Sequence, residues 1–376
     1  MIAMTRPWPS VNESRLYVAF ELSAKSWKLG ITSGFGVEPW VQTVQAGDLK
    51  KLAQVLRRGR VHFRLGADAP VASCYEAGRD GFWIHRALTA MGIDNQVIDS
   101  ASIEVSRRAR RAKTDKLDAL MLARMLVRYW MGEREVWRVV RGPSEADEAA
   151  RHGSRERTAL VKEQTRIRNQ IRGWLATCGA TLPRSQTATW WTRIETWCGT
   201  ALPVPLQDRI ARAEARRQLL AEQIAALNAL QRAAVAAAPA DSARARLVRL
   251  KGVAATSAAT LLEEGLVWRN FQNRRQVGGI LGFTPTPHQS GDVVRDRGIS
   301  RAGIAPLQAI SIQLAWNWIR WQPSSALAQW FEQRFAHGGP RARRIGIVAV
   351  ARRLLILLWR VATTGVIPAG AQLKPV

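Results

Sequence analysis

Residues 17–32 read YVAFELSAKSWKLGIT, two runs rich in aromatic and β-branched side chains, YVAFEL and WKLGIT. Alternation with a period of two marks a half-buried strand. VEPWVQTV at 37–44 repeats it, so 17–43 reads as a short antiparallel meander. Beyond it, Leu49, Leu52, Val55 and Leu56 give Gly47 to Arg58 a helical spacing. VHFRLGA (61–67) and VASCYE (71–76) read as strands, Gly81 to Met91 as a helix stopped by Gly92, and IDNQVI (93–98) as another strand. Three strands followed by helix and strand in alternation predict an α/β domain with a mixed sheet over 16–130. Its last helix runs from Thr114 to Tyr129, with Leu117, Leu120, Met121, Met125 and Leu126 as its apolar stripe and Ala123 beside them.

The character changes over 145–236, which is rich in Ala, Arg, Glu and Gln. Leu160, Ile167, Ile171 and Trp174, then Leu220, Ile224 and Leu227, keep a coiled-coil spacing. A helical hairpin and an interchain coiled coil both fit this pattern, and the segment around Pro239 reads as a hinge. From 247 to 361 glycines punctuate short helices, Pro285 and Pro287 exclude regular helix locally, and long helices close the region at about 305–335 and 342–361. The last 15 residues read as a tail.

The chain has 376 residues, 56 Lys and Arg against 29 Asp and Glu, and a net charge of +27. Hydrophobic residues make up 47%, which excludes a wholly disordered basic tail. Such an excess of charge calls for a polyanion, an acidic partner or an anionic membrane surface, and nucleic acid suits it better than a merely solvated basic surface. Cys74, Cys178 and Cys198 form neither a disulfide framework nor a zinc pattern. No signal peptide opens the sequence, and Arg352 and Arg353 interrupt the most apolar late stretch, so the expected setting is cytoplasmic and nucleoid-associated with no membrane contact.

Against so few acids, four carboxylates stand out by position. Glu21 lies in a strand, Glu76 ends another, and Asp115 and Asp118 share one face at the start of a helix. Carboxylates gathered this way suit Mg2+, which takes oxygen ligands and completes its shell with substrate phosphate. The plainer alternative gives Asp115 and Asp118 to the positive end of the helix and Glu21 to a solvated strand face. Asp68 and Asp80 are rival carboxylates.

The segments FELSAKSWKLGI, CYEAGRDGFW and AKTDKLDALMLARML resemble the amino-terminal motifs of a transposase family: the bacterial insertion-sequence recombinases with a RuvC-like DEDD domain and a separate serine-bearing domain. Lys113 to Ala119 match the family's Lys-Thr-Asp-x-x-Asp-Ala in full, and Glu76, Ala77 and Gly78 match its second motif. Glu21 stands where the family usually has Asp, one methylene longer. LKGVAATSAATLLEE, FQNRRQVGGILGFTPTPHQSG and GISRAG resemble the second domain, with Lys251 where Pro is usual and Arg301 in place of Lys. The likeness covers roughly 16–130 and 247–361.

The resemblance implies an RNase H-like (RuvC-like) α/β domain, a helical or coiled-coil arm, and a mainly α-helical serine transposase domain. It implies magnesium on Glu21, Glu76, Asp115 and Asp118, and Ser290 as a nucleophile that forms a phosphoserine link to DNA. Ser257 and Ser300 are rivals, better suited to capping helices, and His288 is the nearest base in sequence. It further implies a structured noncoding bridge RNA, encoded by the element, that pairs with donor and target DNA, and a homodimer assembling to a tetramer. Nucleic-acid backbone would be gripped by Arg107, Arg108, Arg110, Arg111 and Lys113, by Arg166, Arg168 and Arg172, and by Arg341, Arg343 and Arg344. Arg295, Arg297 and Arg301 would hold phosphate near Ser290. A metal-dependent junction nuclease and a non-catalytic architectural protein are the competing readings.

Overall fold

A computed structural model describes residues 14–103, 114–266, 268–290, 293–300 and 303–375. The chain divides into two compact units, Met1–Pro143 and Ser144–Val376.

The first unit is built on strands β1 (Leu16–Leu22), β2 (Ser26–Thr32), β3 (Trp40–Gln45), β4 (Val71–Glu76), β5 (Asp94–Ile98) and β6 (Val139–Val140). They form one mixed sheet in the order β3-β2-β1-β4-β5-β6. β1, β2 and β3 pair antiparallel, β1 pairs parallel with β4 and β4 with β5, and β6 closes the edge antiparallel to β5. Thus the sheet extends past residue 130. Its helices are α1 (Leu49–His62), α2 (Trp83–Ala90) and α3 (Asp115–Trp130).

Strand alternation sorts the core into two layers. Leu16, Val18, Phe20 and Tyr75 pack with Leu52, Val55 and Leu56 of α1 and Ile84 and Leu88 of α2. Ala19 and Cys74, on the opposite face, pack with Leu122, Ala123, Met125 and Leu126 of α3. Each large apolar side chain buried this way contributes roughly 1.5–3 kcal/mol.

Two expectations change here. The segment 61–67 is not a strand: α1 continues through His62, with Asp48 capping its start by accepting from Lys51 N at 2.8 Å. Val61, which suggested a strand, is 79% exposed at the end of that helix. The buried stripe of α3 is also rotated from the expected one. Ala119, Leu122, Ala123, Met125, Leu126 and Val127 are buried, whereas Leu117 is 44% exposed. The reason is Gly30 on β2. A Cβ there would meet the Ala119 carbonyl carbon at 2.9 Å and Ala123 Cβ at 3.2 Å, so the helix lies on the sheet through its smallest residues.

The second unit starts with α4 (Glu145–Ala176) and α5 (Val204–Ala236). Arg157 Nε donates to Asn228 Oδ1 at 2.6 Å, and Arg209 stacks on Trp174 at 4.1 Å, so the two helices run antiparallel as an intramolecular hairpin. Ile167, Ile171, Leu175, Trp190, Ile210 and Leu220 give that hairpin its own core. The rest comprises α6 (Ala243–Val248), α7 (Ala255–Leu261), a π-helical turn Leu262–Leu266, α8 (Arg274–Gly279), strands β7 (Pro285–Ser290) and β8 (Val293–Ile299), α9 (Ala305–Trp321), α10 (Ala326–Phe331) and α11 (Pro340–Thr364). Its largest core gathers Leu261, Leu281, Leu314, Trp318, Phe331, Val350, Leu354 and Leu358.

The expected helix over 305–335 is broken at Gln322 to Ser325. The break serves a purpose: Gln322 is fully buried and donates to Lys251 O at 3.0 Å and Gln372 O at 2.8 Å. The expected tail is pinned by the same contacts. Leu373 bridges Leu250, and Lys374 Nζ donates to Val248 O and Val253 O at 2.7 and 2.8 Å. Among the described residues no helix is long and apolar enough to cross a membrane.

Candidate active site

The sheet unit brings acidic residues to one end of its strands. Parallel pairing of β1 with β4 runs to Phe20 opposite Tyr75, so Glu21 and Glu76 are the next residues on neighbouring strands. Both are half-buried. By alternation they share the parity of Ala19 and Cys74, the face covered by α3. Together with Asp80 they line a cavity of about 420 Å3 at the strand ends, walled by Ser23, Ala24 and Gly78. Cys74 lies fully buried beneath; burial and then the Glu76 charge push its thiol far up, so it is an inert, protonated core residue.

The orientation of α3 decides where its acids go. Arg15, which precedes β1, stacks on Trp130 at the end of α3, 4.3 Å from the ring centre. Arg15 is itself held by Asp94 at 2.8 Å. Ala119 sits over Gly30, the partner of Ala19 in the middle of β1. Helix α3 therefore runs antiparallel to β1, and its first turn, with Asp115 and Asp118, points toward the end where Glu21 and Glu76 lie. Asp115 is exposed and Asp118 half-buried. Thr114 caps the helix by accepting from Leu117 N at 3.3 Å, so the two aspartates also suit its positive end.

The four residues are not drawn into a tight cage. Asp115 and Asp118 do not line the cavity that Glu21 and Glu76 share. Among the described residues no three His, Cys, Asp or Glu side chains are grouped as a metal site. Of the rivals, Asp80 lies in the cavity wall 3.7 Å from Arg79, while exposed Asp68 precedes β4 at its opposite end.

In the second unit Ser290 ends β7 and pairs in register with Val293 of β8, which places its backbone at the tip of a hairpin. Arg295 pairs with His288 and Arg297 with Thr286. Prolines 285 and 287 belong to this two-stranded ribbon, where a missing amide is tolerated. Gly291 and Arg301 lie outside the described residues, as do Arg107, Arg108, Arg110, Arg111 and Lys113. Both rival serines are occupied structurally: Ser257 is buried in α7, and Ser300 Oγ donates to Gly282 O at 3.1 Å. Arg166, Arg168 and Arg172 are exposed along α4, with Glu163 beside Arg166 at 3.8 Å, and Arg341, Arg343 and Arg344 are exposed at the start of α11.

One polar cluster has no counterpart in the sequence reading. Glu264, on the π turn, is 1% exposed and accepts from Arg155 Nε and Nη2 at 2.6 and 2.9 Å. Its neighbour Glu263 accepts from Arg244 at 3.2 Å. Trp268 donates to Glu263 O and lies between Arg151 and Arg269, at 5.3 and 4.2 Å from its ring. Two adjacent acids inside the apolar run LLEEGL were the available signal.

Comparison with known proteins gives a coherent result. Residues 244–330 match the profile described as "Transposase IS116/IS110/IS902 family", and residues 46–179 match a DEDD transposase profile of the IS110 type. The chain is 41% identical to the Sinorhizobium fredii protein y4rJ, which carries a transposase name, across 96% of this chain and 94% of that one. A second S. fredii protein named as a transposase, y4qE, is 26% identical over 77% of this chain and 74% of its own length. A Pseudomonas aeruginosa protein named as a family 20 transposase is 26% identical over 60% of this chain and 67% of its own.

Proposed function

This chain belongs to the IS116/IS110/IS902 family of transposases, and we propose that it cuts and rejoins DNA under RNA guidance, with a magnesium-carboxylate centre and Ser290 as nucleophile. The observation that carries this reading is the course of α3 back along β1, which takes Asp115 and Asp118 toward the sheet end where Glu21 and Glu76 line one cavity. The central β1, flanked by antiparallel β2 and parallel β4, supports a RuvC-like reading of the sheet unit.

These four residues offer only carboxylate oxygens, the donors that magnesium accepts, and substrate phosphate would complete the shell. A bound ion would stabilise charge on the phosphoryl oxygens. Ser290 Oγ attacks the DNA phosphorus, a serine ester forms as one P–O bond of the strand breaks, and the serine proton ends on the released sugar hydroxyl. One ester replaces another, so the reverse attack rejoins DNA without an outside energy source. The carboxylates and Ser290 belong to different compact units. We read this division as a safeguard: the centre is completed, within one chain or between chains of a tetramer, only when nucleic acid is bound. The exposed arginines of α4 and α11 suit backbone contacts, leaving sequence to base pairing by the bridge RNA.

The test is a nicked suicide DNA carrying an element end, incubated with the protein and with or without the adjacent noncoding RNA. An RNA-dependent covalent adduct mapped to Ser290 is expected. An adduct at Ser257 or Ser300 would refute the nucleophile. Cleavage without any adduct would favour a hydrolytic nuclease.

A further inference from the structure

A second cavity, of about 460 Å3, lies in the helical unit, lined by Trp316 of α9 and by Ala336, Gly338, Gly339, Pro340, Arg343 and Arg344. Its volume falls in the range that holds small ligands. Its walls combine one large aromatic and small apolar residues with two arginines and a glycine-bearing corner.

Trp316 is 44% exposed. Many indoles of this protein already carry a cation: Arg353 lies over Trp330 at 3.8 Å, Arg209 over Trp174 at 4.1 Å, and Arg320 over Trp321 at 5.1 Å. Among the described residues no cation or aromatic ring is seated on Trp316. Nor is either arginine engaged: among the described residues no acid pairs with Arg343 or Arg344, although ion pairs hold Arg15, Arg124, Arg128, Arg155 and Arg217. The corner is also sterically fixed. A Cβ at Gly338 would meet Ala342 Cβ at 2.5 Å, and one at buried Gly346 would meet Phe335 Cγ at 2.6 Å, so the loop that shapes the cavity packs directly on α11.

An open aromatic face beside unpaired guanidinium groups is the chemistry that recognises a nucleotide: the base stacks on the ring and the phosphate takes the fork. A duplex buries its base faces in its own stack, so only an unpaired or extruded base can use the ring. We propose that this cavity is a subsite for one unpaired nucleotide, its base stacked on Trp316 and its phosphate held by Arg343 and Arg344. The proposal rests on nucleic-acid binding by the family and is independent of the serine mechanism. Single-stranded RNA and a displaced DNA strand present the same base and phosphate, and the test separates them.

The experiment uses the full chain and short single strands, one of DNA and one of RNA, each with a 2-aminopurine in place of one base, against duplexes of the same sequence. Stacking on the indole quenches the probe. Trp316→Ala is expected to remove that quenching and weaken single-strand affinity about tenfold, with duplex affinity unchanged. Trp316→Phe should retain most of the affinity, which excludes unfolding as the cause. Replacing both Arg343 and Arg344 with Ala should reduce the salt slope for single strands by about 0.7, the value for one phosphate. Quenching by only one of the two strands supports the subsite and names its source. Unchanged quenching and affinity in Trp316→Ala, or an equal loss on duplex and single strand, would overturn it. Because binding alone is read, a failed serine mechanism would leave these results intact.

Discussion

Arg155 of α4 grips Glu264 of the π turn through its guanidinium Nε and Nη2, which donate to the two carboxylate oxygens at 2.6 and 2.9 Å, while the carboxylate is shut off from water at 1% exposure. A bidentate pair of this kind is directional and fixes one helix against the next. It ties the base of the helical hairpin to the segment leading into the serine-bearing region. Arg155→Ala would strand a buried charge. Because half of Arg155 is open to water, we expect about 3 kcal/mol of lost stability, the low end for a broken buried pair. Urea unfolding should show it, and Arg155→Met combined with Glu264→Leu should recover most of the loss. Equal stability of Arg155→Ala and the parent would mean the pair holds nothing.

Glu263 makes a different prediction. Burial pushes its carboxyl above the ordinary range, and hydrogen bonds from Ser154 and Arg244 pull it only partly back. The folded chain therefore keeps this proton to higher pH than the unfolded chain. The stabilisation is fully present below the unfolded value and is lost as pH rises through the folded one. Thermal midpoints measured from about pH 4 to about pH 7 should show the parent losing stability relative to Glu263→Gln across that window. A flat difference would count against it.

Gly30→Ala should disturb the sheet unit more than its size suggests. The new methyl would meet the Ala119 carbonyl carbon at 2.9 Å, a backbone atom that cannot turn aside. Overpacking of this kind costs about 1–3 kcal/mol. Since α3 would be lifted at the turn just beyond Asp115 and Asp118, DNA cleavage should fall further than stability does. Chemical unfolding and cleavage measured on one preparation will separate the two effects.

Removing magnesium with a chelator should abolish cleavage while leaving nucleic-acid binding. Glu21→Gln, Glu76→Gln and Asp118→Asn should each reduce cleavage at least about a hundredfold. Glu21→Asp, one methylene shorter, should retain part of the activity. Near-normal strand exchange by Glu21→Gln would remove that carboxylate from the site.

Strands β1 to β5 and most helices were legible because period and flanking turn residues agree locally, whereas two-residue β6 and the proline-bearing ribbon β7–β8 carry no such alternation. The failures share a cause. Val61 and Phe63 look like strand residues, but Asp48 nucleates a helix that runs into them. The buried stripe of α3 departs from its large apolar residues because close approach at Gly30 favours Ala119 and Ala123. The acidic end of the sheet was suggested by Glu21, Glu76 and the Asp115/Asp118 spacing. The antiparallel course of α3 depends on Arg15 and Trp130, more than a hundred residues apart, and no local pattern carries that. Arg155 and Glu264 meet across a similar separation.

Helix α4 spans 32 residues, a rod of about 48 Å at 1.5 Å per residue. Laid along a duplex, it measures about fourteen base steps of 3.4 Å. With α5 alongside and a shared apolar seam between them, the rod is stiff, and laid on nucleic acid its span would act as a gauge. Adding or removing two helical turns would change that span by about 11 Å, or about three base steps. Family members whose hairpins differ in this way would tolerate different spacings between the nucleic-acid features they engage, with no change in the residues that perform the chemistry.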